Sequence, residues 1–187
     1  VPADAENLKL ISGKNAFVYT VKNNLYYSEN GKAIQITNDD NENIINGQAV
    51  HRNEFGINEG IFVAPDQNKV AFYRMDQTMV NDYPIIDWSV TPAKNTNIKY
   101  PMAGGKSHEV TLGVYDIKNN SKKFLRIDGD KEQYLTAITW SPDSKSIYVG
   151  VLNRDQNHLR MNQYDAVSGN FIKTLFEEKS EKYVEPQ

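Results

Sequence analysis

The chain has no cysteine, which excludes disulfide bonds, thiol catalysis and cysteine-based metal sites. It has no apolar run near the roughly 18 residues that a transmembrane helix needs, so none is expected. Neither sign of charge dominates, since 21 Lys and Arg face 24 Asp and Glu spread along the whole chain. This balance lacks the basic footprint of proteins that bind nucleic acids or anionic membranes, and we predict neither kind of partner.

Sequence patterns for metal ions and cofactors are missing too. The three histidines, His51, His108 and His158, lack the spacing of metal ligands. Residues 104–107 read Gly-Gly-Lys-Ser but lack the earlier glycine of a phosphate-binding loop. The oxygen-rich segment 38–43 lacks the glycine and distal glutamate of an EF-hand, and is expected to be a solvated turn. We therefore predict no metal and no cofactor.

What the sequence does have is tyrosine and a repeated strand pattern. Its 11 Tyr, 7 Phe and 2 Trp suit a sheet whose aromatic rings are buried while the hydroxyls reach water or backbone groups. A turn, a lysine and a short apolar strand occur in that order at residues 12–19, 64–73 and 141–149. In the last two copies Pro65 and Pro142 fix φ at the first corner of the turn. Each copy is therefore predicted to be a hairpin.

A second pattern of strand, polar turn and strand occurs at residues 25–36, 114–125 and 163–175. In its first copy Asn30-Gly31 is a strong signal for a tight hairpin turn. Two consecutive hairpins make a four-stranded antiparallel unit, which is the blade of a β-propeller. No helical period is sustained anywhere, and only 48–58 is a candidate for a short helix.

The patterns together predict an all-β fold, namely a partial β-propeller of about three four-stranded antiparallel blades with long inserts. The blade-like units are expected at about residues 8–37, 61–127 and 134–178, and the inserts at about 38–60 and 81–108. Long inserts on a regular scaffold are where functional residues concentrate.

The first insert and the strand after it resemble a known family. Residues 47–66 contain Asn53-Glu54-Phe55 and end in Ala64-Pro65-Asp66. Members of the dipeptidyl peptidase IV (prolyl oligopeptidase) family have a Glu-Glu-aromatic motif, a short gap, a Trp pair and then Ser/Cys-Pro-Asp/Asn at a blade hairpin. The similarity resumes in the same order at residues 71–80, 100–104, 140–143 and 153–157. The chain thus resembles the N-terminal β-propeller region of such a peptidase, of the bacterial type.

The resemblance implies a role for two residues of the first insert. In the family the Glu-Glu pair holds the free N-terminal ammonium of the substrate, and carried over it falls on Asn53 and Glu54. A fixed carboxylate about 3 Å from an ammonium in a partly dry cavity makes a strong charge-assisted hydrogen bond. Asn53 is a departure, because its carbonyl accepts a hydrogen bond but brings no charge. The Trp pair reads Phe62-Val63, a second departure, and Glu59 is expected to be a solvated loop carboxylate.

The resemblance also implies the activity of the intact protein, a serine exopeptidase that releases N-terminal Xaa-Pro dipeptides. This chain has no Gly-x-Ser-x-Gly nucleophile elbow, so we predict no catalytic residue in it and expect the catalytic α/β-hydrolase domain outside it. The implied partners are a peptide substrate with a free N-terminus, the protein's own hydrolase domain and a second copy in a homodimer. The implied location is the bacterial cell envelope, periplasmic or on the outer surface.

The alternative is a non-enzymatic propeller that acts as a scaffold or binding module, like the periplasmic TolB protein. Propellers of that class also carry the Ser/Ala-Pro-Asp-x-x-Lys hairpin, so the repeat alone does not separate the two hypotheses. The distinguishing feature is Asn53-Glu54-Phe55 with its downstream spacing, which a simple scaffold has no reason to carry.

Overall fold

The computed structural model describes residues 1–186, which form fifteen strands and one 3₁₀ turn, His51–Asn53. The strands are β1 (Glu6–Ile11), β2 (Ala16–Val21), β3 (Asn24–Glu29), β4 (Lys32–Gln35), β5 (Ile44–Asn46), β6 (Ile61–Val63), β7 (Lys69–Asp76), β8 (Asp82–Asp87), β9 (Lys94–Lys99), β10 (Glu109–Asp116), β11 (Ser121–Phe124), β12 (Tyr134–Trp140), β13 (Ser146–Leu152), β14 (His158–Asp165) and β15 (Phe171–Lys179). Residues 1–186 include no helix of the length and apolarity that a bilayer crossing requires.

The first and third blades are simple antiparallel meanders. The first has the order β1-β2-β3-β4 and the third β12-β13-β14-β15. In the predicted tight turn between β3 and β4, Asn30 and Gly31 have φ values of 50° and 81°. Positive φ at both central residues is what a two-residue hairpin turn needs, and Asn and Gly adopt it at low cost.

The second blade differs because its edge strand comes in two pieces. Its order is β11-β10-β7, and β7 pairs on its other side with both β5 and β6. At the junction the carbonyl of Tyr73 accepts the N–H of Gly47 at 2.8 Å, and the N–H of Tyr73 donates to Gly60 at 3.0 Å. The ladder is therefore continuous along β7, while residues 48–59 leave it as a loop.

Two glycines form the neck of this loop. A Cβ atom on Gly60 would lie 2.1 Å from the carbonyl oxygen of Gln48. Gly47 has a φ of +69°, and a Cβ there would lie 2.7 Å from Cδ1 of Leu25. Gly60 therefore lacks a side chain because the other end of the loop lies against it, and Gly47 because its φ is positive and Leu25 of the first blade lies against it.

The second insert has a different form. Strands β8 and β9, which follow β7 and precede β10 in the chain, pair only with each other and form a separate two-stranded sheet. All six residues of β8 are exposed, and Trp88, just after it, is 78% exposed. This hairpin therefore adds no strand to a blade.

Apolar side chains fill the two spaces between consecutive blades. The first cluster joins blades one and two and includes Ile11, Val18, Leu25, Ile61, Phe72 and Tyr115. The second joins blades two and three and includes Tyr73, Leu112, Leu135, Trp140, Ile147 and Tyr164.

Polar groups of aromatic side chains also form hydrogen bonds across the space between blades two and three. The hydroxyl of Tyr73 donates to the Leu135 carbonyl, and Nε1 of Trp140 donates to the Phe62 carbonyl, both at 2.9 Å.

The lysine of the repeated turn links each blade to the next. Nζ of Lys14 donates to the carbonyl of Gln67 at 2.9 Å, from the first blade to the turn of the second. Nζ of Lys69 donates to the carbonyl of Ser144 at 3.2 Å, from the second blade to the turn of the third. The N–H of Asp66 donates to Oγ of the same Ser144 at 2.9 Å. These contacts give the lysine a role in the first two copies, whereas Lys145 of the third copy is exposed and its ammonium group pairs with Asp143 of its own turn.

The predicted fold, an all-β partial propeller with four-stranded antiparallel sheets, is confirmed. Two details of the first insert differ from the expectation. It supplies β5, which pairs with the part of β7 beyond β6, so that β5 and β6 together form the edge of the second blade. The segment 48–58 forms no α-helix, and its one helical turn spans three residues with left-handed backbone angles.

Candidate functional site

The loop from the second blade contains an unusual backbone turn. His51, Arg52 and Asn53 have φ values of 52°, 57° and 61°. Hydrogen bonds from Asn53 N–H to the Val50 carbonyl and from Glu54 N–H to the His51 carbonyl, both 3.1 Å, close the turn. Left-handed conformations cost a non-glycine residue roughly 1–2 kcal/mol each. Three in succession persist only where the surroundings hold them.

His51 provides the main buried contact of the turn. Its side chain is buried, and its Nε2 accepts the backbone N–H of Leu135 at 3.1 Å. A ring nitrogen that accepts this bond carries no proton, so the proton of His51 lies on Nδ1. That Nδ1–H donates to Nε2 of the buried His108 at 2.8 Å. His108 in turn accepts through Nε2, and both rings are neutral.

The surroundings favour neutral rings. Burial lowers the pKa of His51 to about 3, with His108 and Arg154 adding to the effect. Burial likewise lowers the pKa of His108 to about 4, helped by Arg154 and Arg52, while Glu132 opposes the shift. At neutral pH the pair therefore serves as a fixed set of hydrogen-bonding groups rather than as a charge.

Other contacts hold the turn from two directions. The carbonyl of Phe55 accepts the hydroxyl of Thr136 in β12 at 2.7 Å, and the Phe55 ring lies 4.8 Å from that of Tyr134. On the other side, Arg52 donates to the carbonyl of Lys99 at 2.8 Å. Its guanidinium also lies 5.0 Å above the ring of Tyr100. The third blade and the end of the second insert thus both fix this loop.

The two residues predicted to bind substrate lie next to each other but border different cavities. Glu54 is exposed and borders a cavity of about 160 Å³. Its walls include Tyr100, Pro101, Ser107, Tyr134, Arg154 and Gln156. Asn53 is exposed and borders a larger cavity of about 690 Å³ with Glu42, Gln77, Asp82 and Lys99 among its lining residues. The two cavities adjoin, since His51, Arg52 and His108 border both, and Asn53 and Glu54 each border one of them.

The carboxylate of Glu54 is available for a ligand. Among residues 1–186 it has no ion-pair partner within 4.0 Å. Glu59, on the same loop, differs because its carboxylate forms an exposed ion pair with Lys9. Arg154 lies 5.4 Å from the centre of the Tyr134 ring and 3.9 Å from the Glu132 carboxylate, so a carboxylate already faces this arginine. The cavity of Glu54 is thus lined by one carboxylate without an ion pair, by the rings of Tyr100 and Tyr134, and by the guanidinium groups of Arg52 and Arg154.

Sequence reasoning missed the residues that hold this site. It rejected His51 and His108 as metal ligands and gave them no other role, and it gave no role to Tyr134 or Arg154. No group of three or more metal-ligating side chains forms within the described part of the chain. The two histidines are 57 positions apart with no periodic signal linking them, and only their adjacency in space shows that they form a pair.

Comparison with known proteins identifies the family. The model of the dipeptidyl peptidase IV N-terminal region matches residues 3–187. The chain belongs to the dipeptidyl peptidase IV family. It is 43% identical to a putative dipeptidyl aminopeptidase IV from Bacteroides ovatus, whose crystal structure superposes with a TM-score of 0.89 over all of this chain and 26% of that one. The bacterial type of the resemblance is consistent with this similarity.

Other members of the dipeptidyl peptidase IV family extend the comparison. A probable dipeptidyl-aminopeptidase B from Phaeosphaeria nodorum is 31% identical over 188 residues, which is 90% of this chain and 20% of that relative. Porphyromonas gingivalis dipeptidyl peptidase 4 is 24% identical with a TM-score of 0.83 over 92% of this chain and 25% of that one, which shows a shared fold. The chain therefore spans a fifth to a quarter of the length of these relatives.

Proposed function

We propose that this chain is the non-catalytic propeller portion of a serine exopeptidase that releases N-terminal Xaa-Pro dipeptides. In this proposal Glu54 binds the free N-terminal ammonium of the peptide. The observation that carries it is the unpaired carboxylate of Glu54, presented into an aromatic-walled cavity by a strained and tightly held turn. Family membership supports the peptidase class, and the position of Glu54 supports its role.

A carboxylate in this place can act as a ruler for the substrate. A fixed ammonium site sets how many residues fit between the amine and the nucleophile, and so converts a peptidase into an exopeptidase. The charge-assisted bond is strongest where water is partly excluded, and the hydrolase domain would have to provide that exclusion because Glu54 is exposed in this chain. Since Asn53 borders the other cavity, we propose that Glu54 supplies the only carboxylate of the anchor and that Asn53 contributes at most a neutral acceptor.

The test is Glu54→Gln in the full-length protein, which keeps the shape and removes the charge. We expect kcat/KM on a free-amine Xaa-Pro substrate to fall by about 30- to 1000-fold, toward the upper end because no second carboxylate shares the cavity. The matched control is Glu59→Gln, on the same loop but in an exposed ion pair, which we expect to change kcat/KM by less than about threefold.

The N-acetylated form of the same substrate separates an amine anchor from a general defect. Acetylation removes the ammonium, so the Glu54→Gln loss should be confined to the free-amine substrate. Equal losses on both substrates, or a small loss on the free-amine substrate, would contradict the anchor role. A scaffold propeller of the TolB type predicts no turnover at all in the full-length protein.

Three further features of the intact protein belong to the same proposal. The catalytic α/β-hydrolase domain, outside this chain, would close the cavity that Glu54 borders. The cell envelope would be its location. A homodimer is supported by the second insert, whose hairpin exposes Tyr83, Ile85, Ile86 and Trp88 to solvent. Several large apolar side chains exposed on one hairpin are typical of a protein-protein contact, and we assign a second copy to it.

A further inference from the structure

We infer that His51 and His108 are positioning residues, a neutral imidazole pair that holds the left-handed turn and thereby fixes the carboxylate of Glu54 in its cavity. The inference rests on the proposed function of Glu54. It concerns how the site is held in place, and it adds no group that contacts the substrate.

The hydrogen bonds form one unbroken path to Glu54. The N–H of Leu135 in β12 donates to His51 Nε2, and His51 Nδ1–H donates to His108 Nε2. His51 also accepts the N–H of Glu54 through its own carbonyl at 3.1 Å. A single residue therefore connects the third blade, the end of the second insert and the backbone of the proposed anchor. Since Arg52 and Asn53 are exposed, His51 is the one buried side chain of the turn.

Neutral imidazole suits both bonds of His51. The ring must accept at Nε2 and donate at Nδ1, which the neutral Nδ1–H tautomer does and the protonated ring cannot. Groups from every neighbouring element influence this state. They are Arg52 in the turn, Arg154 after β13, Glu132 before β12 and the ring of Tyr134 in β12. Two guanidinium groups against one carboxylate favour the neutral pair.

A purely structural role would not require this arrangement. An apolar side chain would fill the space without the cost of burying four ring nitrogens, which is recovered only when they are hydrogen-bonded. The pair lies where three left-handed residues need support, and strained backbone of this kind concentrates at functional loops. Positioning of Glu54 accounts for both features.

The experiment uses His51→Leu and His51→Gln in the full-length protein, each in the native and the Glu54→Gln background. We expect His51→Leu to reduce kcat/KM on the free-amine substrate about tenfold, mostly through KM, because the turn loses its buried hydrogen bonds. In the Glu54→Gln background the same change should cause no further loss, since residues that act through one another are not additive. His51→Gln, whose amide can both accept and donate, should recover part of the loss.

Hydrogen-deuterium exchange gives a readout that is independent of activity. Peptides covering residues 50–58 should exchange about tenfold faster in His51→Leu, because the turn opens more often. The matched control is His158→Gln, an exposed histidine that bonds Glu177 and should change neither exchange nor kinetics. If His51→Leu does not fold, His108→Gln provides the same test, because it leaves the bond to Leu135 intact.

Each result decides between positioning and structure. A His51→Leu loss that persists in the Glu54→Gln background, or that is equal on free-amine and N-acetylated substrates, would overturn the inference. Unchanged exchange in residues 50–58 would overturn it as well. If Glu54→Gln is not selective for the free amine, the proposed function fails instead. If the proposed function fails in this way, faster hydrogen-deuterium exchange of residues 50–58 in His51→Leu would still show that the histidine pair holds the turn. Unchanged exchange would overturn the structural role of the pair as well.

Discussion

The two inserts of the second blade are opposite in structure although both are long and polar in sequence. The first returns through its glycine neck into the ladder of β7 and is fixed to the third blade by His51 and Phe55. The second consists of a hairpin, 82–99, whose strands are exposed along most of their length, followed by a segment that ends at the buried His108.

The difference shows what makes an insert suitable for each role. An insert that presents a charged group to a substrate must have that group fixed, because positional freedom weakens a directional hydrogen bond. The first insert has this fixation and accepts backbone strain for it. An insert that contacts another protein needs exposed apolar surface instead, and the hairpin has such surface, with Trp88 near its tip. The predictions below test this contrast, starting from the largest effect.

The glycines at the bases of the two inserts should differ most. Gly60→Ala places a Cβ within 2.1–2.5 Å of the backbone of Gln48, and because backbone cannot move aside cheaply we expect a loss of about 3–5 kcal/mol. Gly104→Ala meets nothing within 4 Å, and its φ of +75° should cost only about 1 kcal/mol. Urea unfolding of the chain measures the free energy of unfolding of both variants. Equal losses would contradict the prediction that the backbone is tightly packed at the base of the first insert and open at the base of the second.

Acid should weaken the buried contact between the first insert and the end of the second, while the exposed hairpin has no such group among its described residues. The folded pKa values of His51 and His108, about 3 and about 4, lie below the unfolded value of about 6.5, so the unfolded chain binds protons first as pH falls. The contribution of the pair is therefore complete above about pH 6.5 and declines toward pH 4. At pH 5 the loss should be on the order of 2–4 kcal/mol.

The measurement is the free energy of unfolding from pH 8 to pH 5, with the double variant His51→Gln/His108→Gln as the control. The double variant is less stable at pH 8 but lacks both titrating rings, so its stability should decline less steeply over this range. Parallel curves for the two proteins would show that the imidazole pair is not the source of the acid sensitivity.

The smallest effect on stability is expected in the hairpin. Trp88→Ser removes a ring that is 78% exposed, and we expect the free energy of unfolding to change by less than about 0.5 kcal/mol. In the full-length protein the same change should weaken the homodimer, which sedimentation velocity measures. A large loss of stability would show that the hairpin contacts the blades, and an unaltered dimer would remove the hairpin from the proposed interface.

Several parts of this architecture could be predicted from local sequence. The turns at Pro65, Pro142 and Asn30-Gly31 are determined by residues within a few positions, because φ preferences and tight-turn hydrogen bonds are local. The repeat of two hairpin patterns was therefore sufficient for the fold class. The recurring lysine of the repeat, such as Lys69, could also be recognised in the sequence. Its hydrogen-bond partner Ser144 lies 75 residues away and could not be predicted from the sequence.

The sequence by itself determined the all-β fold of four-stranded antiparallel units and, through the resemblance, the segment that contains Glu54. Only the tertiary structure decided that Asn53 and Glu54 border different cavities, and that His51, His108 and Leu135 form one hydrogen-bonded path. The physical reason is range. Turn and strand preferences depend on neighbours in the chain, whereas a buried imidazole acquires its tautomer, its pKa and its role from groups that the packing of separate blades brings within hydrogen-bonding distance.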